Sequence, residues 1–568
     1  MKSLPRRRIR KTLRSQNPSQ EHINQLRNLY TKGQLLAVAD LAQSLTEQYP
    51  NSVIIWNFLG IAAAQIGRLH DAKNALERVT QLNPNLAEGH NNFGNFLKEQ
   101  GDLEKAAKAY NMALSIKPDY AEAFYNMGNT LKAQGKLTEA VQAYNKAVSI
   151  KPDYVVAYNN MGLTLHEEGK LEKALAAYNA ALNFQPDYAE SLNNMGNTLT
   201  ARGELEKAMQ AYNKALSIKP NNATTYNDMG LALKDQGKLE QAIQAYKKAL
   251  AIKPDYAEAH FNLSQIYLRK TSFKKGFKLN EWRWKTPQHI GAKLFSSKPK
   301  WNGQSDKRIL IYSEQGIGDV IMFASIIPDL QKISTKVIIS CDERLIPLFE
   351  RSFSHHVIYK VSGETVDEDE YDYHISIGSL PKILRPNLSS FQKASFGYLN
   401  GDNEKTTALK KRLLKGNKNK LVGVNWLSQS IVVNAQERNI SLEQLACHLN
   451  ESKTQFVSLQ YGHVSEEIYK LKQDHGIDVI EVADIDNRIN IYGLACLILA
   501  CDQIFSIDNA AAHLAGALGA KTKLLLPFRH DWRWGDEQTD CYWYGAIKIY
   551  KQKQFGDWSD VLNRLPSQ

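Results

Sequence analysis

The chain has 568 residues, of which 43% are hydrophobic and 23% charged, and its formal net charge is +12. That length exceeds what one hydrophobic core organises and points to three or four domains. No run approaches the roughly 18 apolar residues of a membrane-spanning helix, and the 5 cysteines, all between Cys341 and Cys541, show neither pairs nor metal-type CxxC spacing, as expected for reduced thiols in a cytoplasm.

Lys2, Arg6, Arg7, Arg8, Arg10, Lys11 and Arg14 come first, with no acidic residue among them. No apolar stretch follows, so residues 1–16 read as a basic disordered leader and not as a secretory signal. Such a leader is either a solvated tail or a contact for an anionic surface or nucleic acid. No recognised nucleic-acid motif accompanies the charge, so no nucleic-acid partner is expected.

Pro50, Pro84, Pro118, Pro152, Pro186, Pro220 and Pro254 follow one another at intervals of 34 residues. Gly33, Gly67, Gly101, Gly135, Gly169, Gly203 and Gly237 keep the same period, half a repeat out of phase. In the third unit, Gly94 and Ala106 allow two helices to approach closely, and Tyr110 is expected to fill the gap between repeats. Gly101 supplies the left-handed residue that ends the first helix, and Pro118 stops the second. Asp119 with Glu122 reads as a capping box, repeated at Asp187/Glu190 and Asp255/Glu258. This period with these marks is the signature of the tetratricopeptide helix–turn–helix. Residues 17–285 therefore read as an α-helical solenoid of seven repeats plus a degenerate capping repeat. In that last unit Thr271 stands where the next glycine belongs, and the unit ends in Asn280-Glu281-Trp282-Arg283-Trp284.

One helix position in each repeat carries an amide or its acid: Asn92, Asn126, Asn160, Asn194, Asp228 and Asn262. Asparagine costs about half a kcal/mol against alanine in a helix, so its recurrence needs a cause. A ladder of amides offers donors and acceptors to an extended peptide, and it resembles the asparagine ladder of the O-linked N-acetylglucosamine transferase solenoid. The alternative is that these asparagines bond to one another within the stack.

Residues 286–306 read as a linker, after which short apolar runs alternate with helices. Lys307–Tyr312, Val337–Ser340, His374–Ile377, Leu421–Trp426, Gln455–Leu459, Val479–Val482, Gln503–Ile507 and Lys523–Leu526 are the expected strands of two parallel sheets. Ligands in such folds sit at the carboxyl ends of strands, which draws attention to two turns. Gly316-Ile317-Gly318-Asp319 is either a glycine-lined approach for a ligand or a plain glycine turn with an aspartate cap. Asp508-Asn509-Ala510-Ala511-Ala512-His513 follows a buried strand and opens a helix whose amides suit a phosphate. There Asp508 caps the helix or holds a sugar hydroxyl, and His513 donates to a phosphate or is simply structural.

Together these turns resemble those of the ADP-heptose-dependent heptosyltransferases and their relatives. The whole second part looks like the bacterial proteins that join tetratricopeptide repeats to a heptosyltransferase-like domain. The resemblance runs through Lys300-Trp301-Asn302-Gly303, Glu314 to Asp319, Arg344-Leu345-Ile346-Pro347-Leu348-Phe349, Gly423-Val424-Asn425-Trp426, Ser458 to Gly462, Asp531-Trp532-Arg533-Trp534 and Asp557-Trp558. It implies an α/β two-Rossmann (GT-B-like) glycosyltransferase domain, with one half at 307–415 and a nucleotide-binding half at 416–568. It further implies Asp319 as general base of an inverting, metal-independent transfer, and a donor site around Gly316, Gly318, Arg438, Asp508, Asn509, Ala510, Ala511 and His513. The donor would be an ADP- or UDP-linked sugar used as a substrate, with no permanently bound cofactor, and the acceptor a polypeptide recruited by the repeats. Trp532 and Trp534 would stack on a base or sugar, or pack in the core. Leu427 stands where the family often has a phosphate-binding cation, and Ser428-Gln429 where it has a small Gly-Gly; Arg438, Lys521 or Arg529 are the candidates to replace the charge. The rival expectation is a non-catalytic interaction scaffold carrying a degenerate transferase domain.

Overall fold

The computed structural model describes residues 17–287, 291, 293–353, 357–391, 397–414, 420–428, 435–536 and 540–565. The basic leader and Gln429 lie outside the described residues. The chain divides into two compact units, Met1–Ala232 and Leu233–Gln568.

The first unit holds six helical hairpins, Gln20–Thr31/Leu35–Gln48 to Ala189–Ala201/Leu205–Ile218, and the start of a further helix at Ala223. Each expected turn glycine is left-handed, with φ from 69° to 80°. Past Gly101, the Asp102 amide reaches back to the Leu97 carbonyl at 2.9 Å and closes the helix end. Gly94 is needed for a different reason, since a Cβ there would lie 2.7 Å from the Tyr110 ring. The same ring-on-glycine contact recurs for Tyr144 on Gly128, Tyr178 on Gly162 and Tyr212 on Gly196. The repeat tyrosine thus seats against its own hairpin as well as facing the next repeat, where Tyr110 meets Thr130; Tyr110 Oη donates to Asn95 Oδ1 at 2.7 Å.

The capping boxes do not form. Helices Ala121–Ala133, Ala189–Ala201 and Ala257–Arg269 are preceded by Tyr120, Tyr188 and Tyr256 as N-caps, with no side-chain cap bond. The proline turn displaces the aspartate: the Tyr120 amide closes on the Lys117 carbonyl at 3.2 Å, which leaves Asp119 within the turn, one residue too early. Glu190 instead accepts the Tyr188 hydroxyl at 2.8 Å.

The second unit begins inside the seventh hairpin and continues through Leu239–Ile252, Ala257–Arg269, Phe273–Asn280 and a 3-10 turn at Glu281–Lys285. Thr271 takes the glycine's place in geometry too, at φ 55°. Left-handed backbone strains a side-chain-bearing residue by about 1–2 kcal/mol; the closing bond from the Ser272 amide to the Tyr267 carbonyl, 2.8 Å, is kept all the same.

Two sheets follow, with every strand pairing parallel. The first has β1 (Arg308–Tyr312), β2 (Lys336–Cys341), β3 (Val357–Val361) and β4 (Tyr373–Ser376) in the order β3-β2-β1-β4. Within 286–306, Lys300 forms a parallel bridge with His374 at the β4 edge, and Trp301 is buried beside it. The second has β5 (Lys420–Asn425), β6 (Thr454–Ser458), β7 (Val479–Ile480), β8 (Gln503–Ile507), β9 (Thr522–Leu526) and β10 (Ile547–Lys551) in the order β10-β9-β8-β5-β6-β7. Central strands are buried on both faces, as parallel sheets covered by helices require. All eight expected strands are present; β3 and β10 are additions.

One apolar cluster runs from Phe273 and Phe277 of the last hairpin through Ile309, Ile339, Val457 and Leu526 of both sheets. Helix Ile317–Ala324 packs on helix Ala510–Ala517 so closely that a Cβ at Gly318 would lie 3.0 Å from His513 Cδ2 and 3.5 Å from Ala510 Cα. Arg283, from the aromatic run that ends the repeats, is only 4% exposed. It donates to Glu314 Oε1 (2.8 Å), Glu281 Oε1 (2.7 Å), Ser376 Oγ (3.0 Å) and Ser379 Oγ (2.8 Å). Burial pushes the Glu314 carboxyl above its ordinary range even with Arg283 beside it.

Candidate functional site

The first of the two turns ends β1 and opens helix Ile317–Ala324 at Gly316, which provides no side-chain cap. Gly316 has space beside it: a Cβ there would meet only Asp319 Oδ2, at 3.9 Å. The second glycine is different. Gly318 faces His513 and Ala510, so its missing side chain serves helix packing and not the approach of a ligand.

Asp319 lies in the first helical turn, and its Oδ1 accepts two bonds from Arg533, the one from Nε measuring 2.7 Å. Arg533 NH1 also pairs with Asp531 Oδ1 at 2.6 Å. Burial alone would lower the guanidinium's pKa, but the two carboxylates on either side raise it above its ordinary value. Burial likewise opposes the charge on Asp531, yet Arg533 and its amide hold that carboxyl below the usual range. Sequence reading singled out Asp319 and missed Arg533 as its partner. The Asp-Trp-Arg-Trp run was a signal, but nothing in it tells which distant carboxylate the arginine meets.

At the second turn the cap is Asn509, not Asp508. Asn509 Oδ1 accepts from the Ala511 and Ala512 amides at 3.1 and 3.3 Å, and its Nδ2 donates to Asn425 Oδ1. Of the helix-start amides expected to suit a phosphate, that of Ala511 is therefore already taken. Asp508 is 5% exposed, with Oδ2 3.7 Å from Arg438 NH1, which also donates to the Asp508 carbonyl at 3.3 Å. Burial outweighs Arg438 and pushes the Asp508 carboxyl up.

His513 is buried, stacks on Trp534 at 4.8 Å between ring centroids, and shares a 2.9 Å hydrogen bond between Nδ1 and the Tyr544 hydroxyl. Burial, with Arg533 nearby, pushes its pKa down to about 4. The imidazole is neutral near pH 7 and serves the core, so it is no phosphate-binding cation. Trp534 is fully buried as well, while Trp532 packs edge-on against Phe277.

Of the three candidate replacement cations, Arg438 and Arg529 line one cavity, and Lys521 does not: it precedes β9, at the opposite end from the strand's carboxyl edge. Leu427 is half-buried, its amide and carbonyl both engaged by the Gln460 side chain.

The amide ladder bonds within the repeats. Asn92 Nδ2 donates to Asn57 Oδ1 (3.0 Å), Asn126 to Asn91 (3.0 Å), Asn160 to Asn129 (3.0 Å) and Asn194 to Asn159 (3.1 Å). Asp228 Oδ2 accepts from Asn193 and Asn197 at 2.9 and 3.0 Å. Asn262 occupies the corresponding position in helix Ala257–Arg269, half-buried.

Residues 94–135, 128–169, 162–199, 196–237 and 230–270 match the TPR repeat model, and residues 53–86 match the tetratricopeptide repeat model. The first part of the chain therefore carries tetratricopeptide repeats. Protein FlbA of Caulobacter vibrioides is 30% identical over 285 residues, 47% of this chain and 47% of FlbA, so the chain spans about half the length of this curated relative. Among solved structures, YrrB, a TPR protein with an unusual peptide-binding site, is 24% identical over 33% of this chain and 95% of its own, with a TM-score of 0.28. MamA is 28% identical over 29% of this chain and 96% of its own, with a TM-score of 0.27. Among the described residues no helix is long and apolar enough to cross a membrane.

Proposed function

We propose that the protein is a glycosyltransferase whose repeats recruit a polypeptide acceptor to a nucleotide-sugar-dependent α/β domain. The observation that carries this reading is the meeting of the two strand-to-helix turns, with Gly318 on His513 and Asp319 on Arg533. It sets a carboxylate from the first sheet beside loops at the carboxyl ends of β8 and β9. In this reading Asp319 Oδ2, on the open side of Gly316, takes the acceptor proton as the acceptor attacks the anomeric carbon. The bond from that carbon to the phosphate oxygen breaks and the nucleoside diphosphate leaves. Asp508 and Arg438 hold the donor.

The test is binding of ADP-, UDP- and GDP-sugars to the full chain by calorimetry, followed by transfer to peptide. Binding of one donor should weaken at least about tenfold in Asp508→Ala, and transfer should fall by about 100-fold or more in Asp319→Asn, assayed at a temperature where the variant is shown to be folded. Full transfer by Asp319→Asn would remove the base from this scheme.

A second reading, a protein-binding scaffold with a degenerate transferase domain, is favoured by one arrangement: Arg533 occupies Asp319 Oδ1 while Asn509 occupies the Ala511 amide. It predicts that repeat-dependent capture of a protein partner survives both substitutions and that no donor binds.

A further inference from the structure

Beside Arg438 lies a cavity of about 580 Å³, within the range of small-molecule sites. Its wall comes from two sources. The loops after β5, β9 and β10 supply Arg438, Arg529 and Gln552, and the end of the repeat array supplies Lys234, Gln236 and Arg269. All of these belong to the second compact unit.

The lining is rich in donors. Gln552 is 5% exposed, and its Oε1 accepts from the Phe528 and Gly556 amides at 3.1 and 3.3 Å. Those two bonds fix the orientation of the amide group, so Nε2 is the end left over, and it is buried with no acceptor among the described residues. Arg529 Nε and Gln236 Nε2 are buried donors in the same state. Arg529 is half-restrained already, with NH1 on Glu437 Oε1 at 3.2 Å and its guanidinium 4.8 Å from the centre of the Phe555 ring. Of the acids on the wall, Asp536 Oδ1 accepts two bonds from Arg269, at 2.9 and 2.6 Å, Asp531 is paired with Arg533, and Asp235 lies 3.9 Å from Lys234. Lys234 stands in the last turn of helix Ala223–Asp235, just before the turn of the seventh hairpin. Buried donors without acceptors are costly unless a ligand supplies acceptors, and surplus cations beside them select an anion.

We infer that this cavity seats a diphosphate-bearing ligand and that the last repeats complete the seat through Lys234 and Gln236. The inference rests on the transferase reading for its ligand class, and it adds to that reading a direct part for the repeat array in holding the donor's diphosphate. The repeats then act on the donor as well as on the acceptor.

The experiment is calorimetric titration of the full chain with inorganic pyrophosphate, ADP, UDP and GDP. Gln552→Glu keeps the acceptors for the two amides while turning the end without an acceptor negative, and Lys234→Glu reverses a charge in the last turn of helix Ala223–Asp235. Each should weaken binding at least about tenfold with an unchanged unfolding midpoint, and Lys234→Arg should restore it. A chain that binds none of the four probes overturns the inference. Nucleotide binding that is lost in Asp508→Ala but unmoved by Gln552→Glu and Lys234→Glu also overturns it, while leaving the transferase reading in place. Pyrophosphate binding that follows both cavity substitutions, in a chain that transfers no sugar, supports the seat and removes the transferase reading.

Discussion

The repeats and the α/β region are held together over different distances along the chain. In the repeats, Tyr110 reaches Asn95 across 15 residues and Asn126 reaches Asn91 across 35. In the second compact unit, Arg283 from the run that ends the repeats reaches Ser379 across 96 residues, Arg533 reaches Asp319 across 214, and Arg269 of the last hairpin reaches Asp536 across 267. A repeat array behaves as a row of neighbours, each stabilised by the next. A structure tied by long-range polar bonds instead responds as one body, because losing one tie strands charged groups far apart in sequence. Damage should therefore stay local in the first region and spread in the second.

The largest expected effect is that of Arg283→Met. It leaves Glu314, whose side chain is fully buried, without its cation, and breaking a buried pair from one side costs about 3–5 kcal/mol. Denaturant unfolding should show the loss, and hydrogen exchange should show lowered protection in both sheets. Adding Glu314→Gln should recover part of it. Protection lost only near residue 283 would break the comparison.

Acid comes next. Burial pushes His513 and His530 down to about 4, against 6.5 for the free side chain. The unfolded imidazoles take up protons that the folded ones refuse, so their contribution is complete above about pH 6.5 and declines as pH falls towards 4. For His513 alone the loss is about 3 kcal/mol at the acid end of that window. Unfolding midpoints measured across it should fall steeply, and His513→Gln should flatten the slope; a slope unchanged by that substitution would contradict the assignment.

The smallest effect belongs to the repeats. In Gly128→Ala the new methyl would lie 2.6 Å from the Tyr144 ring, an overpacking that costs about 1–3 kcal/mol. Exchange should quicken in that hairpin and its neighbours, and the sheets should keep their protection.

What could be read from the sequence follows the same division. A period of 34 with a left-handed glycine in every turn is a local property, and it located the hairpins. The aspartates misled because Pro118-Asp119-Tyr120 closes its own turn before the helix begins. A buried strand such as β2 announces itself by an unbroken apolar run, Val337-Ile338-Ile339. The two strands not foreseen, β3 and β10, are the edges of their sheets, partly exposed and interrupted by lysines. Both turns of the candidate site were legible as strand-to-helix junctions. Which side chains close on them was not, because the partner of Asp319 is fixed by the packing of two helices from different sheets. Gln552 was invisible for the same reason: its free amide end is defined by two backbone groups that only the folded loops bring to it.

The last hairpin, Ala257–Asn280, has exchanged the repeat's glycine for Thr271, given Arg269 to Asp536, and sent Phe273 into the apolar core of the sheets. It has become a fixed adaptor. Upstream of the seventh hairpin, the 34-residue units repeat one helix pairing and one glycine-ended turn. The array can therefore lengthen or shorten by whole units, as a ruler gains or loses divisions, while the adaptor and everything built on it stay unaltered.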